Sequence, residues 1–312
     1  AGTGLLQNLT GGNNTAFSTL SLSDYTADDS STVKQNAAAN VGYTTGSSRS
    51  VISDNSANAQ VMFREKVAID TSTLNGKALE LTPKENAYGT DVWSKRTNRL
   101  ILNEWYKTNK YHSDNGDGLD YYHVGYFLGA GDIAPILKDS IWFPKNYTSW
   151  KVLDNGSLRS SFELKYDEWN VDGKLVTVTK SISLDANSQL SKVSVVYSYN
   201  ATTPLPLAIG ISRRDEAGTM LLDEQNGILG YWEPTHGKDG TIGVGCIMPS
   251  LANKMSLQKG HLLSVVSCLS NEPLVYYKGA AWDKAGSIKS SQAWFNYLQN
   301  FKLQLTTPIE IK

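Results

Sequence analysis

A chain of 312 residues with 40% hydrophobic and 19% charged side chains has enough apolar material for one large globular domain or two ordinary ones. Lys and Arg number 29 against 30 Asp and Glu, so there is no basic excess to draw nucleic acid or an anionic membrane surface. No apolar run approaches the ~20 residues of a bilayer-crossing helix, which argues against a membrane partner.

The numbering begins at Ala1 without a methionine, as expected of a processed or trimmed chain. N-x-Ser/Thr triplets stand at Asn8, Asn13, Asn146, Asn155 and Asn200. With the Ser/Thr/Asn/Tyr-rich composition they point to a secreted, extracellular glycoprotein. Residues 1–60 are polar and small, which suits either a loosely ordered arm or short edge strands with long loops. From about Lys77 onward strand patterns dominate. Leu158, Ser160, Phe162, Leu164 and Tyr166 alternate with polar neighbours, as do Val193, Val195, Tyr197 and Tyr199. Val176, Val178, Ile182 and Leu184 keep the same period, with Lys180 as the exception. Asn155-Gly156, Asp172-Gly173, Asn226-Gly227 and Asp239-Gly240 mark turns between runs.

Near the C-terminus, S-S-Q-A-W-F-N-Y-L-Q-N-F predicts a helix. Trp294, Tyr297, Leu298 and Phe301 form its apolar stripe, behind serines able to cap its start. Many strands and one late helix predict an all-β fold. The expectation is a large antiparallel β-sandwich forming a single domain over 1–312.

No nucleophile elbow, P-loop, H-E-x-x-H or Rossmann fingerprint occurs. Gly243 and Gly245 lie within an apparent strand rather than at a helix start, a poor context for nucleotide binding. Cys246 and Cys268 are the only cysteines, so a thiolate zinc site is not expected. They occupy two strand-like runs, and a disulfide or two buried thiols both fit.

One stretch concentrates polar chemistry: Y-H-S-D-N-G-D-G-L-D-Y-Y-H-V-G, residues 111–125. An EF-hand register fails because Ser113 holds the first position and Val124 the twelfth, where Asp and Glu are needed. Asp114, Asp117 and Asp120 still leave calcium as the one candidate ion; otherwise no cofactor is required. Asn115 to Gly118 also read simply as a turn. If Tyr121 to Val124 is extended, Tyr122 shares a face with Val124, and His123 shares one with Tyr121 and Gly125. His112 has the better claim to reactivity, and His123 reads more readily as structural.

Cationic and aromatic residues cluster elsewhere: Trp93, Lys95, Arg96 and Arg99; Arg213 and Arg214; Tyr231, Trp232, Glu233 and His236; Tyr276, Tyr277, Lys278 and Trp282. Such rings on a strand-rich scaffold suit carbohydrate, packing on sugar faces while their polar tips hydrogen-bond. Ordinary core packing accounts for most of them.

D-V-W-S-K-R-T-N-R-L-I-L-N-E-W-Y, the 111–125 stretch, V-L-D-N-G-S-L-R, Y-W-E-P-T-H-G-K-D-G-T-I-G-V-G and Y-Y-K-G-A-A-W-D-K-A-G together resemble a secreted family labelled domain of unknown function 4861. The resemblance runs from about Asp91 to the C-terminus. It implies a galactose-mutarotase-like sandwich and a part in the breakdown of uronate-containing polysaccharides. Its blocks suggest Lys95, Arg96, His112, Asp117, Asp120 and Tyr122 as site residues.

The leading expectation is therefore a polysaccharide lyase acting by β-elimination, with a polysaccharide or oligosaccharide as partner and the chain acting as a monomer. Arg96 or Lys95 would neutralise the uronate carboxylate, with Arg preferred for its bidentate hold. His112 or Tyr122 would take the C5 proton, the tyrosine only if a cation lowers its pKa from about 10. Trp93, Trp232, His236 and Tyr277 are candidate substrate contacts. The alternatives are a glycoside hydrolase using Asp117, Asp120 or Glu233, and a non-catalytic sugar-binding module.

Overall fold

The computed structural model describes residues 41–43, 49–52, 59–64, 89–96, 110–122, 124, 127–144, 147–155, 159–185, 188–215, 217–249, 254–258 and 260–307. The expectations for Asn8, Asn13, Asn146, Gly125, Leu158, Arg99 and His123, and for the arm before residue 41, lie outside them.

Period-two alternation builds the largest sheet. β9 (Arg159–Val171), β10 (Lys174–Asp185) and β11 (Leu190–Tyr199) pair antiparallel along most of their length. They send Phe162, Leu164, Val176, Val178, Ile182, Val193, Val195 and Tyr197 to one buried face. Each such side chain contributes about 1.5–3 kcal/mol on leaving water. Asp172 and Gly173 close the β9–β10 hairpin with φ of 50° and 87°, the positive values a type I′ turn requires.

β8 (Ser149–Asn155) joins beside β9, and β18 (Pro273–Trp282), β15 (Ile242–Ile247), β14 (Ile228–Trp232) and β13 (Thr219–Asp223) extend the other side. The order is β13-β14-β15-β18-β11-β10-β9-β8. Its buried face packs on a second sheet, ordered β16 (Lys254–Gln258), β17 (His261–Cys268), β12 (Leu205–Ser212), β6 (Ala130–Leu137) and β7 (Ser140–Ile141). The Tyr197 hydroxyl crosses the interface to donate to the Ile133 carbonyl at 3.1 Å. A third sheet runs β1 (Val41–Tyr43), β2 (Arg49–Ile52), β3 (Ala59–Arg64), β4 (Thr90–Lys95) and β5 (Gly118–Leu119). The antiparallel sandwich expected from the strand pattern is the fold.

Lys180 does not break the alternation; it obeys it. Its side chain points inward, fully buried, with Nζ 2.6 Å from Asp132 Oδ1 and 4.9 Å from the centre of the Tyr166 ring. Lys278 is buried alongside, with Nζ 3.8 Å from Asp132 Oδ2 and 2.5 Å from Thr90 Oγ1. Two lysines thus share one buried carboxylate, and burial lowers the pKa of both, Lys180 to about 8. The two amines in turn hold the Asp132 carboxyl below its ordinary value, against its own burial.

The predicted helix is α1 (Ser291–Thr306). Ser290 caps it, its Oγ accepting from the Ala293 N–H at 3.2 Å. Trp294 and Leu298 are fully buried against β14 and β15. Gly230 and Gly245 are cross-strand partners, and Gly243 and Gly245 lie on the helix-facing side. A Cβ on Gly245 would sit 2.7 Å from both methyl carbons of Leu298. The glycines of G-T-I-G-V-G-C therefore make room for a helix. Cys246 and Cys268 lie on different sheets as buried free thiols, which decides between the two cysteine readings.

Candidate functional site

Strand ends gather polar groups at one end of the sandwich. β4 runs out into Arg96, β12 into Arg213 and Arg214, β14 into Glu233, and β18 into Asp283. The Glu233 N–H donates to the Ile242 carbonyl at 3.0 Å and the Asp283 N–H to that of Thr241 at 3.0 Å, continuing the sheet into the site.

Arg96 is fixed three ways. Its N–H donates to the Asp117 carbonyl at 2.8 Å, its guanidinium grips the Asp114 carboxylate through both terminal nitrogens, and its Cζ lies 4.8 Å from the centre of the Trp282 ring. Gly118 (φ 132°) makes this possible, because a side chain there would collide with the Ser94 carbonyl. Trp282 in turn donates its indole N–H to the Asp239 carbonyl at 2.8 Å. One indole therefore ties Arg96 to the turn carrying His236, whose Nδ1 is 3.3 Å from Asp239 Oδ2. The His236 side chain is 63% exposed, and its ring stacks on Tyr121 with centroids 5.3 Å apart.

Behind this pair lies a buried carboxylate. Glu233 is 4% exposed and bonds Arg214 Nε at 3.0 Å, while Arg214 Nη2 donates to the Tyr121 carbonyl at 2.6 Å. Burial pushes the Glu233 carboxyl up to about 7, with Arg214 opposing the rise. The Tyr121 hydroxyl is buried near Glu233 and Asp283; burial first and these carboxylates second hold it protonated far above the ordinary tyrosine range.

Of the residues singled out from sequence, Arg96, Glu233 and His236 come together here. Tyr122 does not serve as expected. It faces the core with Val124, 5% exposed, its hydroxyl buried without a hydrogen-bond partner among the described residues, and burial holds its pKa well above 10, so it is no base. Lys95 is fully buried and cannot meet a carboxylate from solvent. Trp93 is also fully buried, stacked on Tyr111 at 5.2 Å, and supports the loop. His112 is exposed, and its Nδ1 bonds the Asp120 carbonyl at 2.8 Å within its own loop; Asp120 is buried. Trp232 and Tyr277 pack on the helix side of the large sheet, away from Glu233 and His236. The Asp114 carboxylate proposed for calcium holds Arg96, and Asp117 offers Arg96 its carbonyl; the described residues hold no cluster of three His, Cys, Asp or Glu suited to a metal.

Sequence reading noted Arg214 and Trp282 among clustered cations and aromatics but gave them, Tyr121 and Asp239 no role in the site. Tyr121 and Tyr122 lie outside the strands, so strand alternation offered no signal to separate them.

Comparison with known proteins adds the following. A Formosa agariphila protein named Uncharacterized protein P7 is 30% identical over 234 residues, 72% of this chain. The chain spans 58% of that relative's length. Among solved structures, a kojibiose phosphorylase from the human microbiome overlays 83% of this chain and 30% of its own, with TM-score 0.41 and 10% identity. A heparan sulfate lyase from Pedobacter heparinus overlays 75% of this chain and 35% of its own, with TM-score 0.40 and 10% identity. A family model described as Domain of unknown function (DUF4861) matches residues 71–311, and the chain belongs to that family.

Proposed function

We propose that the protein is an extracellular carbohydrate-active enzyme, a lyase that cleaves a uronate-containing polysaccharide by β-elimination at the His236 site. The observation that carries this reading is an exposed imidazole, oriented by Asp239 and stacked on Tyr121, beside two arginines whose positions are fixed by Trp282 and Glu233.

Each part answers a demand of the reaction. Arg96 and Arg214 offer cationic donors to the uronate carboxylate, which acidifies the neighbouring C5 proton. With Nδ1–H donating to Asp239, the His236 Nε2 is left as the acceptor of that proton. The C5–H electron pair forms the C4–C5 double bond, the C4–O bond breaks, and the same imidazolium returns the proton to the leaving oxygen from one face. Tyr121 remains protonated beneath the ring and acts as its positioning surface. A general base contributes about 10²–10⁴-fold.

Hydrolysis is favoured by one feature, the two carboxylates of Glu233 and Asp283 that both act on Tyr121. The two chemistries separate in one experiment. Polygalacturonate, alginate and hyaluronate are incubated with the protein while ultraviolet absorbance of the unsaturated uronate and new reducing ends are followed together. Elimination gives both signals and loses them in His236→Ala; reducing ends without absorbance would refute it in favour of hydrolysis. Neither product from any acidic glycan would refute both.

A further inference from the structure

The outer face of the eight-stranded sheet is only partly covered. α1 packs on β14 and β15, and the sheet beyond it, at β18, β11, β10 and β9, remains open to solvent. Between helix and open sheet lies a cleft of about 560 Å³, within the range of saccharide-sized and other small-molecule sites.

Its walls are prepared in advance. The β11–β18 register sets Lys192 directly opposite Tyr277. The Tyr277 ring is half-buried and meets the edge of Phe301 with centroids 5.2 Å apart, while the Tyr297 hydroxyl accepts the Gln189 N–H at 2.8 Å. These rings rest on the apolar cluster beneath α1, so they have little side-chain freedom left to lose on binding. Arg159 holds Asp185 through two bonds, at 2.5 and 2.8 Å, which neutralises the carboxylate of the cleft. Lys192 is exposed and has no carboxylate partner among the described residues.

We propose that this cleft is a second, non-catalytic saccharide-binding site that anchors an acidic sugar unit of the polysaccharide, its ring against Tyr277 and its carboxylate on Lys192. The inference rests on the carbohydrate reading above. Among the described residues no histidine lines the cleft, and its carboxylate is locked to an arginine, so it has the means to hold a chain and not to cleave one. A single unpaired cation beside aromatic faces and the Asn300 side chain suits a glycan with spaced acidic units.

Affinity electrophoresis in gels containing polygalacturonate, alginate or hyaluronate, with dextran as the neutral control, tests the proposal. The protein is expected to be retarded by an acidic glycan and not by dextran. Lys192→Glu and Tyr277→Ala should each weaken retardation by about five- to tenfold. The exposed Lys192→Glu keeps the test valid if Tyr277→Ala fails to fold. Retardation unaffected by Lys192→Glu, equal retardation by dextran, or no retardation in any acidic gel would each overturn the proposal. Retardation that depends on Lys192 in a protein that cleaves nothing would leave the cleft standing and remove the lyase reading. Cleavage of short oligosaccharides that survives Lys192→Glu while retardation is lost would support both.

Discussion

Replacing Lys180 by Met tests the buried polar centre of the sandwich. In the native protein two amines face one carboxylate, with Lys180 Nζ 2.6 Å and Lys278 Nζ 3.8 Å from Asp132. All three side chains are shut off from water, and the Tyr166 ring lies 4.9 Å from Lys180 Nζ. Lys180→Met keeps the volume and leaves a one-to-one pair. Asp132 retains the Ile133 N–H at 2.8 Å and the Thr90 hydroxyl at 3.1 Å. Burial disfavours the charged form of Lys180, and Lys278 remains beside Asp132 as its counter-charge, so at neutral pH the variant should be at least as stable as the native protein.

The pH dependence gives the magnitude. An amine whose folded pKa lies below its unfolded value binds fewer protons when folded, so stability rises with pH between the two values. For Lys180 that window runs from about 8 to 10.5. Over roughly pH 7 to pH 10 the native protein should gain about 2–3 kcal/mol relative to Lys180→Met. The comparison removes changes common to both proteins, including those from the cysteines, whose thiols are pushed up to about 12 and about 11. Urea unfolding followed by tryptophan fluorescence at both ends of the range measures it. A stability difference that stays constant with pH would refute the reasoning, because Lys180 would then titrate alike in folded and unfolded chains.

Gly245→Val should cost about 1–3 kcal/mol through overpacking, since its first added carbon would lie 2.7 Å from both Leu298 methyl carbons. A thermal melt equal to that of the native protein would sink the glycine-for-helix argument. Glu233 titrates near 7 when folded and near 4.5 otherwise, so its burial withdraws stability as pH rises between those values. Glu233→Gln should abolish that fall, roughly 3 kcal/mol in full, and a pH–stability curve that kept it would contradict the assignment. Arg96→Lys loses both the forked grip on Asp114 and the planar contact with Trp282. On an acidic glycan it should lower kcat/KM by at least about tenfold, chiefly through KM.

The elements of the fold were legible in the sequence because they follow from local periodicity. Val176, Val178, Ile182 and Leu184 declare a buried strand face without reference to any other strand, and Trp294 with Leu298 declares a helix stripe. What such patterns do not contain is the identity of the opposing surface. Lys180 read as an irregularity until Asp132, 48 residues away, supplied its counter-charge. Gly243 and Gly245 looked like a failed nucleotide loop because the helix that fills their space comes about 50 residues later. Trp232 and Tyr277 looked like sugar platforms of one cleft, yet strand alternation placed both on the helix side.

The same limit explains the uneven reading of the site. The 111–125 stretch drew attention through its density of His, Asp and Tyr, and most of those groups serve the loop itself: His112 bonds the Asp120 carbonyl and Asp114 holds Arg96. The chemistry collects where that loop meets other strand ends. Arg214 reaches the Tyr121 carbonyl from 93 residues away, and Trp282 reaches the Asp239 carbonyl across 43. A residue's type shows what it can do in water, whereas its pKa and its freedom to meet a ligand are set by such distant neighbours. Tyr121 and Tyr122 make the point within two positions. One stacks its ring on His236 and the other turns inward beside Val124, in a segment that belongs to no strand and whose side-chain directions are set by its distant neighbours.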